Sequence, residues 1–338
     1  MNSSARRRRR PDSKKPALFT KKEIPTSLLR LAKSKNGADV WALVLPPLLV
    51  EVYCQILDEL GLRNVAANQM PNDEGPQSGI TEEATREHFA RSFSGSAARA
   101  QLVCLDLTDT FRTTRDALAQ LFSGGHVELL DIPCGCGASS ALLLCLVAEL
   151  RQQGVLPKLP LHVGITGWDI SAPARKIKRG LFRRLKPLLI HAGIEIKMSK
   201  VRVKGWDVTD EEQTSERIAD WLKTKSPSAA VGVVAANFSG FLHSKVKDCK
   251  SQLREVLRYT GQEDATVLWI EPTTNVATIQ LFPNLIKYVL KTPSKLQVYW
   301  PDKTRARQAE HAVLHPVQRG GLFQARATAL HLEPKTRR

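Results

Sequence analysis

Two glycines and three acids, each following an apolar run, are the residues of this chain best suited to hold a ligand. Residues 127–148 read VELLDIPCGCGASSALLLCLVA, so a strand leads into Asp131, a turn holds Gly135 and Gly137, and an apolar helix begins near Ser139. Glycine lets the backbone take positive φ and lets a ligand approach, while the free N–H groups of the helix start point to the same place. Such a turn binds a cofactor, and taken alone it is equally open to dinucleotide-binding domains. A second strand ends in Gly167-Trp168-Asp169-Ile170-Ser171, where an acid can accept hydrogen bonds from ribose hydroxyls or, in the structural alternative, cap the next helix. A third closes on Gly205-Trp206-Asp207-Val208 and a fourth on Asn237-Phe238, with His243 and Glu271 at the same predicted edge. Either of these last two could accept a proton, or His243 could be a surface or capping residue and Glu271-Pro272 a strand end. Cys134 and Cys136 lack the second pair that zinc needs and read as small loop residues, so no metal site is expected.

The elements that must carry these residues are strands alternating with helices from about residue 126, the pattern of an α/β doubly wound sheet. Strands are expected at 127–131, 161–169, 201–206, 230–236, 265–270, 295–300 and 321–332. Helices are expected at 138–153, 173–192, 210–223, 241–259 and 275–290. That is a seven-stranded, mostly parallel sheet spanning 126–334. Residues 1–22 repeat arginine, hold Pro11 and Pro16 and lack apolar periodicity, which predicts a disordered basic arm. Residues 23–125 read as a helical accessory region for substrate recognition, with helical spacing in 27–33 and 48–60, a polar loop over 64–79, and further helices near 81–93 and 109–122.

The first turn resembles the opening motif of the class I, Rossmann-like S-adenosylmethionine-dependent methyltransferases: acid, any, Gly, any, Gly, any, Gly. Here Pro133 stands where the family has its first glycine, after Asp131 and before Gly135 and Gly137. The resemblance implies S-adenosylmethionine as cofactor, with the turn around its amino-acid moiety and Asp169 and Ile170 at its ribose. It further implies Asp207 at the adenine amino group and the Val208 N–H beside it. An NAD-binding domain has no need of that third acid. Amino-methylating members carry a polar residue, two prolines and an aromatic after strand four, the polar group orienting the target nitrogen and the ring stacking on a base. This chain has Asn237 and Phe238 there without the prolines, so Asn237, Phe238 and His243 are the catalytic candidates. The resemblance also implies an antiparallel final strand.

Charge points to the acceptor. The chain carries a net +17, and it is concentrated: residues 1–23 hold nine Lys or Arg against two acids, and residues 173–204 hold eleven against Glu195 alone. Two basic regions on an otherwise balanced protein suit a polyanion, most simply RNA or, less simply, DNA, the bland alternative being a solvated helix face and tail. Ile177, Leu181, Leu185, Leu188 and Leu189 would face the sheet, leaving Arg175, Lys176, Lys178, Arg179, Arg183 and Lys186 toward solvent. Six cysteines in apolar runs and no apolar leader suggest a reducing, cytoplasmic setting, with a nuclear or organellar address for the arginine-rich start as the alternative. The longest apolar stretch, residues 40–53, is interrupted by Pro46, Pro47 and Glu51, so no membrane span is expected. The sequence therefore predicts a methyltransferase for structured, ribosomal-type RNA. The alternatives are a weak or inactive RNA-binding assembly factor of the same fold, and a methyltransferase for protein or a small molecule.

Overall fold

The computed structural model describes residues 23–34, 36–68, 80–123, 125–263, 265–273, 296–299 and 308–334. The expected basic arm, the polar loop beyond residue 68 and the helix expected at 275–290 lie outside them. The described strands form one sheet in the order β1-β2-β9-β10-β7-β6-β3-β4-β5, with β8 on β10. Its central run is β3 (His126–Asp131), β4 (Leu161–Asp169), β5 (Ile194–Gly205), β6 (Ala230–Ala236) and β7 (Thr266–Pro272), all parallel to their neighbours. β10 (Leu322–Pro334) then runs antiparallel beside β7, in register from Ala327 opposite Pro272 to Leu332 opposite Val267. This antiparallel last strand is the one that the resemblance implies.

Two expectations change. The sheet has ten strands among the described residues instead of seven. The free edge of β10 is shared by two strands, β8 (Leu296–Tyr299) along residues 331–334 and β9 (Ala309–Leu314) along residues 322–327. Only the first was expected, because β9 carries Glu310 and His311 and lacks a continuous apolar run. In addition, the helix expected over residues 27–33 is a strand. β1 (Leu29–Lys33) and β2 (Asp39–Leu43) form an antiparallel hairpin, and β2 joins the sheet by pairing parallel to β9 through Leu43 and Val313. A run of leucines this short satisfies either period, and the sheet edge decides it.

Side chains alternate across the sheet, as strand geometry requires. Leu129, Val234, Leu268, Ala327 and Ala329 enter the core beneath α1 (Pro47–Glu59), α3 (Glu82–Leu105), α5 (Ala138–Gln152) and α6 (Ala172–Leu189). Leu130, Val233, Trp269, Leu330 and Leu332 enter the core on the opposite face, shared with α7 (Glu211–Thr224) and α8 (Ser239–Gln262). α5 is buried from Ser139 to Arg151, which suits its near-continuous apolar sequence, because α3 covers the side that the sheet does not. α3 starts on Thr81, whose Oγ1 accepts the Ala84 N–H at 3.2 Å with Glu82 and Glu83 in the first turn. Its small residues Gly95, Ala97, Ala98 and Ala100 lie buried, and α3 reaches the Ala325, Ala327 and Ala329 stretch of β10. No helix among the described residues is long and apolar enough to cross a membrane.

Candidate active site

At the carboxyl end of β3 the chain turns through a cis Ile132–Pro133 bond into Gly135 and Gly137, with φ of +45° and +89°. The two glycines serve different ends. A Cβ on Gly135 would meet nothing within 4 Å, so this part of the turn faces open space, whereas one on Gly137 would lie 3.0 Å from Lys178 Cγ. Gly167 on β4 is constrained by the same lysine, since a Cβ there would lie 2.9 Å from both Lys178 Nζ and Cys134 Sγ. Lys178 is expected from the sequence at the surface of α6, and the structure corrects this: it is wholly buried beneath the turn. Its ammonium bonds Asp131 Oδ2 and Ser140 Oγ, the latter at 3.3 Å, and Ser140 donates to the same carboxylate oxygen at 2.6 Å. Burial lowers the lysine's proton affinity, but Asp131 and its neighbours raise it further, so Lys178 stays charged. Burial pushes the Cys134 and Cys136 thiols up, which keeps them protonated and unsuited to nucleophilic work. Among the described residues no cluster of His, Cys, Asp and Glu could hold a metal ion.

Asp169 ends β4 and organises the next layer. Its Oδ2 accepts the Gly135 N–H at 2.8 Å and its Oδ1 the Ser171 N–H at 2.8 Å. The acid thus ties the glycine turn to the start of α6, and burial raises its pKa against those hydrogen bonds. Each carboxylate oxygen keeps a second lone pair for a ligand. Ile170 is 50 % exposed beside it, an apolar side chain left at the sheet edge. Arg175 does not face solvent freely, because it holds the Asp169 and Ile170 carbonyls at 2.6 and 2.9 Å. Asp207 follows β5 and binds the Thr209 N–H and Oγ1 through Oδ1 at 2.9 and 2.7 Å, while its own N–H donates to Gln213 Oε1 at 2.5 Å. Val208 sends its side chain into the core.

At the end of β6, Asn237 has φ of +55°, a conformation asparagine tolerates. Its Oδ1 accepts from Arg99 Nε at 2.9 Å, a contact that reaches across from α3. Phe238 is placed differently from expectation. Its ring is 4 % exposed, packed near Trp206 at 6.4 Å between centroids, and so has no face for a base. Glu271 lies fully buried and accepts the Phe238 N–H at 3.0 Å and the Trp269 indole N–H at 2.7 Å, which makes it a brace for this turn. His243 belongs to α8, and its side chain lies outside the described residues.

Sequence reasoning expected the start of α3 but ended the helix near residue 93, and so missed its second half and Arg99. Thr85 meets Ser171 at 3.0 Å and Arg99 meets Asn237, so this helix runs from the β4 turn to the β6 turn. Between them lies His88, whose pKa is lowered by burial and by the Arg99 charge. A signal was present, since Arg99 sits alone in the small-residue run SGSAARA.

Of the basic cluster, Lys176, Arg179, Arg183, Lys197 and Lys204 are exposed. Arg179 also caps the Val203 carbonyl, Arg184 pairs with Glu59, and Arg202 reaches Glu128 at 3.3 Å. β5 is an end strand of the sheet, where lysines also discourage edge-to-edge pairing.

No family model matches the chain and no curated protein matches it. Solved structures do. A Streptococcus thermophilus rRNA methylase is 11% identical with a TM-score of 0.31, covering 67% of this chain and 96% of that one. A Streptomyces coelicolor geranyl diphosphate C-methyltransferase is 11% identical with a TM-score of 0.31, covering 85% and 98%. A Thermotoga maritima S-adenosylmethionine-dependent O-methyltransferase is 11% identical with a TM-score of 0.29, covering 66% and 64%. Scores this low leave the assignment to the sheet itself: a parallel run, a glycine turn after β3 and an antiparallel strand next to β7 give the chain a class I methyltransferase-like fold.

Proposed function

We propose that the chain is an S-adenosylmethionine-dependent methyltransferase whose acceptor is RNA. The observation that carries the reading is the gathering, at the carboxyl ends of four adjacent parallel strands, of the open Gly135 turn, Asp169, Asp207 and Asn237. These residues fit the cofactor. Gly135 leaves room for close approach, the first turn of α5 has no side-chain cap competing for its N–H groups, Asp169 retains lone pairs, and Ile170 offers an apolar surface. When bound, the cofactor supplies an electrophilic methyl on a sulfonium for in-line displacement. The protein then has to hold the acceptor in line and exclude water, for which α3, lying from Ser171 to Asn237, is placed.

The exposed cations of α6 and β5 support a polyanionic acceptor, with RNA favoured because recognition by shape and backbone needs no sequence-reading element. A second reading, an RNA-binding factor without transferase activity, is favoured by the burial of the Phe238 ring. Calorimetry with S-adenosylmethionine, followed by transfer of labelled methyl into total RNA, DNA and protein, tests both. Saturable binding with label in RNA is expected. Binding with no label in any polymer supports the second reading, and absence of binding overturns the first.

A further inference from the structure

The turn after β6 offers two amide N–H donors beside an acceptor oxygen that Arg99 already engages. Guanidinium groups only donate, so the Asn237 atom facing Arg99 Nε at 2.9 Å has to be the carbonyl oxygen, and the two N–H groups of the amide are left at the half-exposed edge. Arg99 is itself held. It is 3 % exposed, and its Nη2 donates to Ser96 Oγ at 3.3 Å one helical turn earlier. The Asn237 backbone is fixed as well, its N–H donating to the Ile270 carbonyl at 3.0 Å. The amide is therefore set in one orientation from two sides. An exocyclic amine would have only the one lone pair of Oδ1 that Arg99 leaves, and its remaining N–H would face the N–H groups of Asn237. A hydroxyl oxygen brings lone pairs, one of which can accept from Asn237 while another attacks.

The neighbouring residue agrees. Methylation at a base edge is helped by an aromatic face on which the base stacks, and the Phe238 ring is enclosed in the core near Trp206. A ribose hydroxyl stands on the backbone side of the nucleotide and needs no such platform.

We infer that the Asn237 amide, oriented by Arg99, positions a ribose 2′-hydroxyl of RNA as the methyl acceptor. This rests on the methyltransferase reading above and narrows it from a polymer to an atom. In the step, a lone pair of the hydroxyl oxygen forms the new C–O bond, the methyl–sulfur bond breaks with its electrons onto sulfur, and the hydroxyl proton passes to water. Arg99 is a positioning residue, acting through Asn237.

The test labels RNA with the full-length protein and methyl-tritiated S-adenosylmethionine, then hydrolyses the product in alkali. A 2′-O-methyl group blocks cleavage of the adjacent phosphodiester, so label is expected in alkali-resistant dinucleotides. Label in mononucleotides, marking a methylated base, overturns the inference and leaves the methyltransferase reading standing, whereas label in no RNA removes that reading first. Asn237→Asp replaces the donor with an acceptor that Arg99 can still pair, so kcat should fall at least tenfold with the melting temperature and S-adenosylmethionine affinity retained. Arg99→Met should lower kcat similarly, with Arg99→Lys restoring part of it. Wild-type kcat in a folded Asn237→Asp protein would overturn the assignment.

Discussion

Lys178 and Asp131 form an ion pair enclosed beneath the glycine turn, the lysine entirely buried and its ammonium bonded to the carboxylate and to Ser140. The aliphatic stem of this lysine, as well as any ligand, accounts for the glycine at 137, and its ammonium for the one at 167. Removing one partner leaves a buried charge uncompensated, which costs about 3–5 kcal/mol. Lys178→Met should therefore lower stability by that order in urea melts, and Lys178→Met with Asp131→Asn should recover much of the loss. The lysine's pKa is raised on folding, so its contribution is complete below the unfolded value of about 10.4 and fades as pH climbs through the folded value. Melting temperatures of the wild type should drop at strongly alkaline pH by more than those of the double variant.

Asp169 and Asp207 separate by what else they hold. Asp169→Ala removes an acceptor for both Gly135 and Ser171 and any ribose contact, so S-adenosylmethionine binding should weaken by about 1.5–3 kcal/mol, tenfold or more in Kd. Asp207→Asn keeps an oxygen for Thr209 and loses only the charge, so calorimetry should find weaker cofactor binding without a change in melting temperature. Wild-type affinity in a folded Asp169→Ala protein rules out this placement of the cofactor.

RNA affinity should depend on the cations that internal partners leave exposed. Lys176→Glu with Arg183→Glu is expected to flatten the dependence of log K on log salt, by roughly 0.7–0.9 for each phosphate that is no longer neutralised. Cofactor affinity should persist. Unchanged salt slopes would direct the search for an acceptor to proteins or small molecules.

His331, on β10 opposite Leu268, is an acid-sensitive point of the core. Its ring is 2 % exposed, contacts Thr114 Oγ1 at 3.0 Å, and burial pushes its pKa down to about 4; Glu333, at 3.9 Å and part-exposed, does not offset this. Protonation thus favours the unfolded chain, where the pKa is about 6.5, and stability should be lost as pH falls from there toward the folded value. The loss is on the order of 3 kcal/mol. His331→Phe should flatten this limb of a stability–pH profile between pH 6.5 and 4.5.

Much of the parallel sheet is legible in the sequence, because β3, β4 and β6 are buried on both faces and are rich in Val, Leu, Ile and Ala, broken only by single polar residues such as Glu128, His162 and Thr166. The edge is not. β1, β2 and β9 are half-exposed, and the pairing that joins the hairpin to the sheet brings Leu43 to Val313, far along the chain. Lys178 defeats sequence reasoning although the pattern holds it, since 174, 178, 181, 182, 185 and 189 are the buried positions of α6. Its charge argues for solvent, and its position on the helix outweighs that. Arg99 escapes for the opposite reason: a helix that is small and buried on nearly all sides has no amphipathic stripe against which one arginine stands out.

The placement of β10 has a consequence for how the protein is made. This strand lies between β7 and β9, and the β1–β2 hairpin joins the rest of the sheet through β9, so the earliest strands of the chain wait on nearly the latest for attachment. During synthesis the β3 to β7 segment can assemble as its residues emerge, while the hairpin has no partner strand in the rest of the sheet until β9 and β10 have been made. A chain without β10 would leave a half-sheet with an open β7 edge, a species expected to depend on chaperones and to be cleared by proteases.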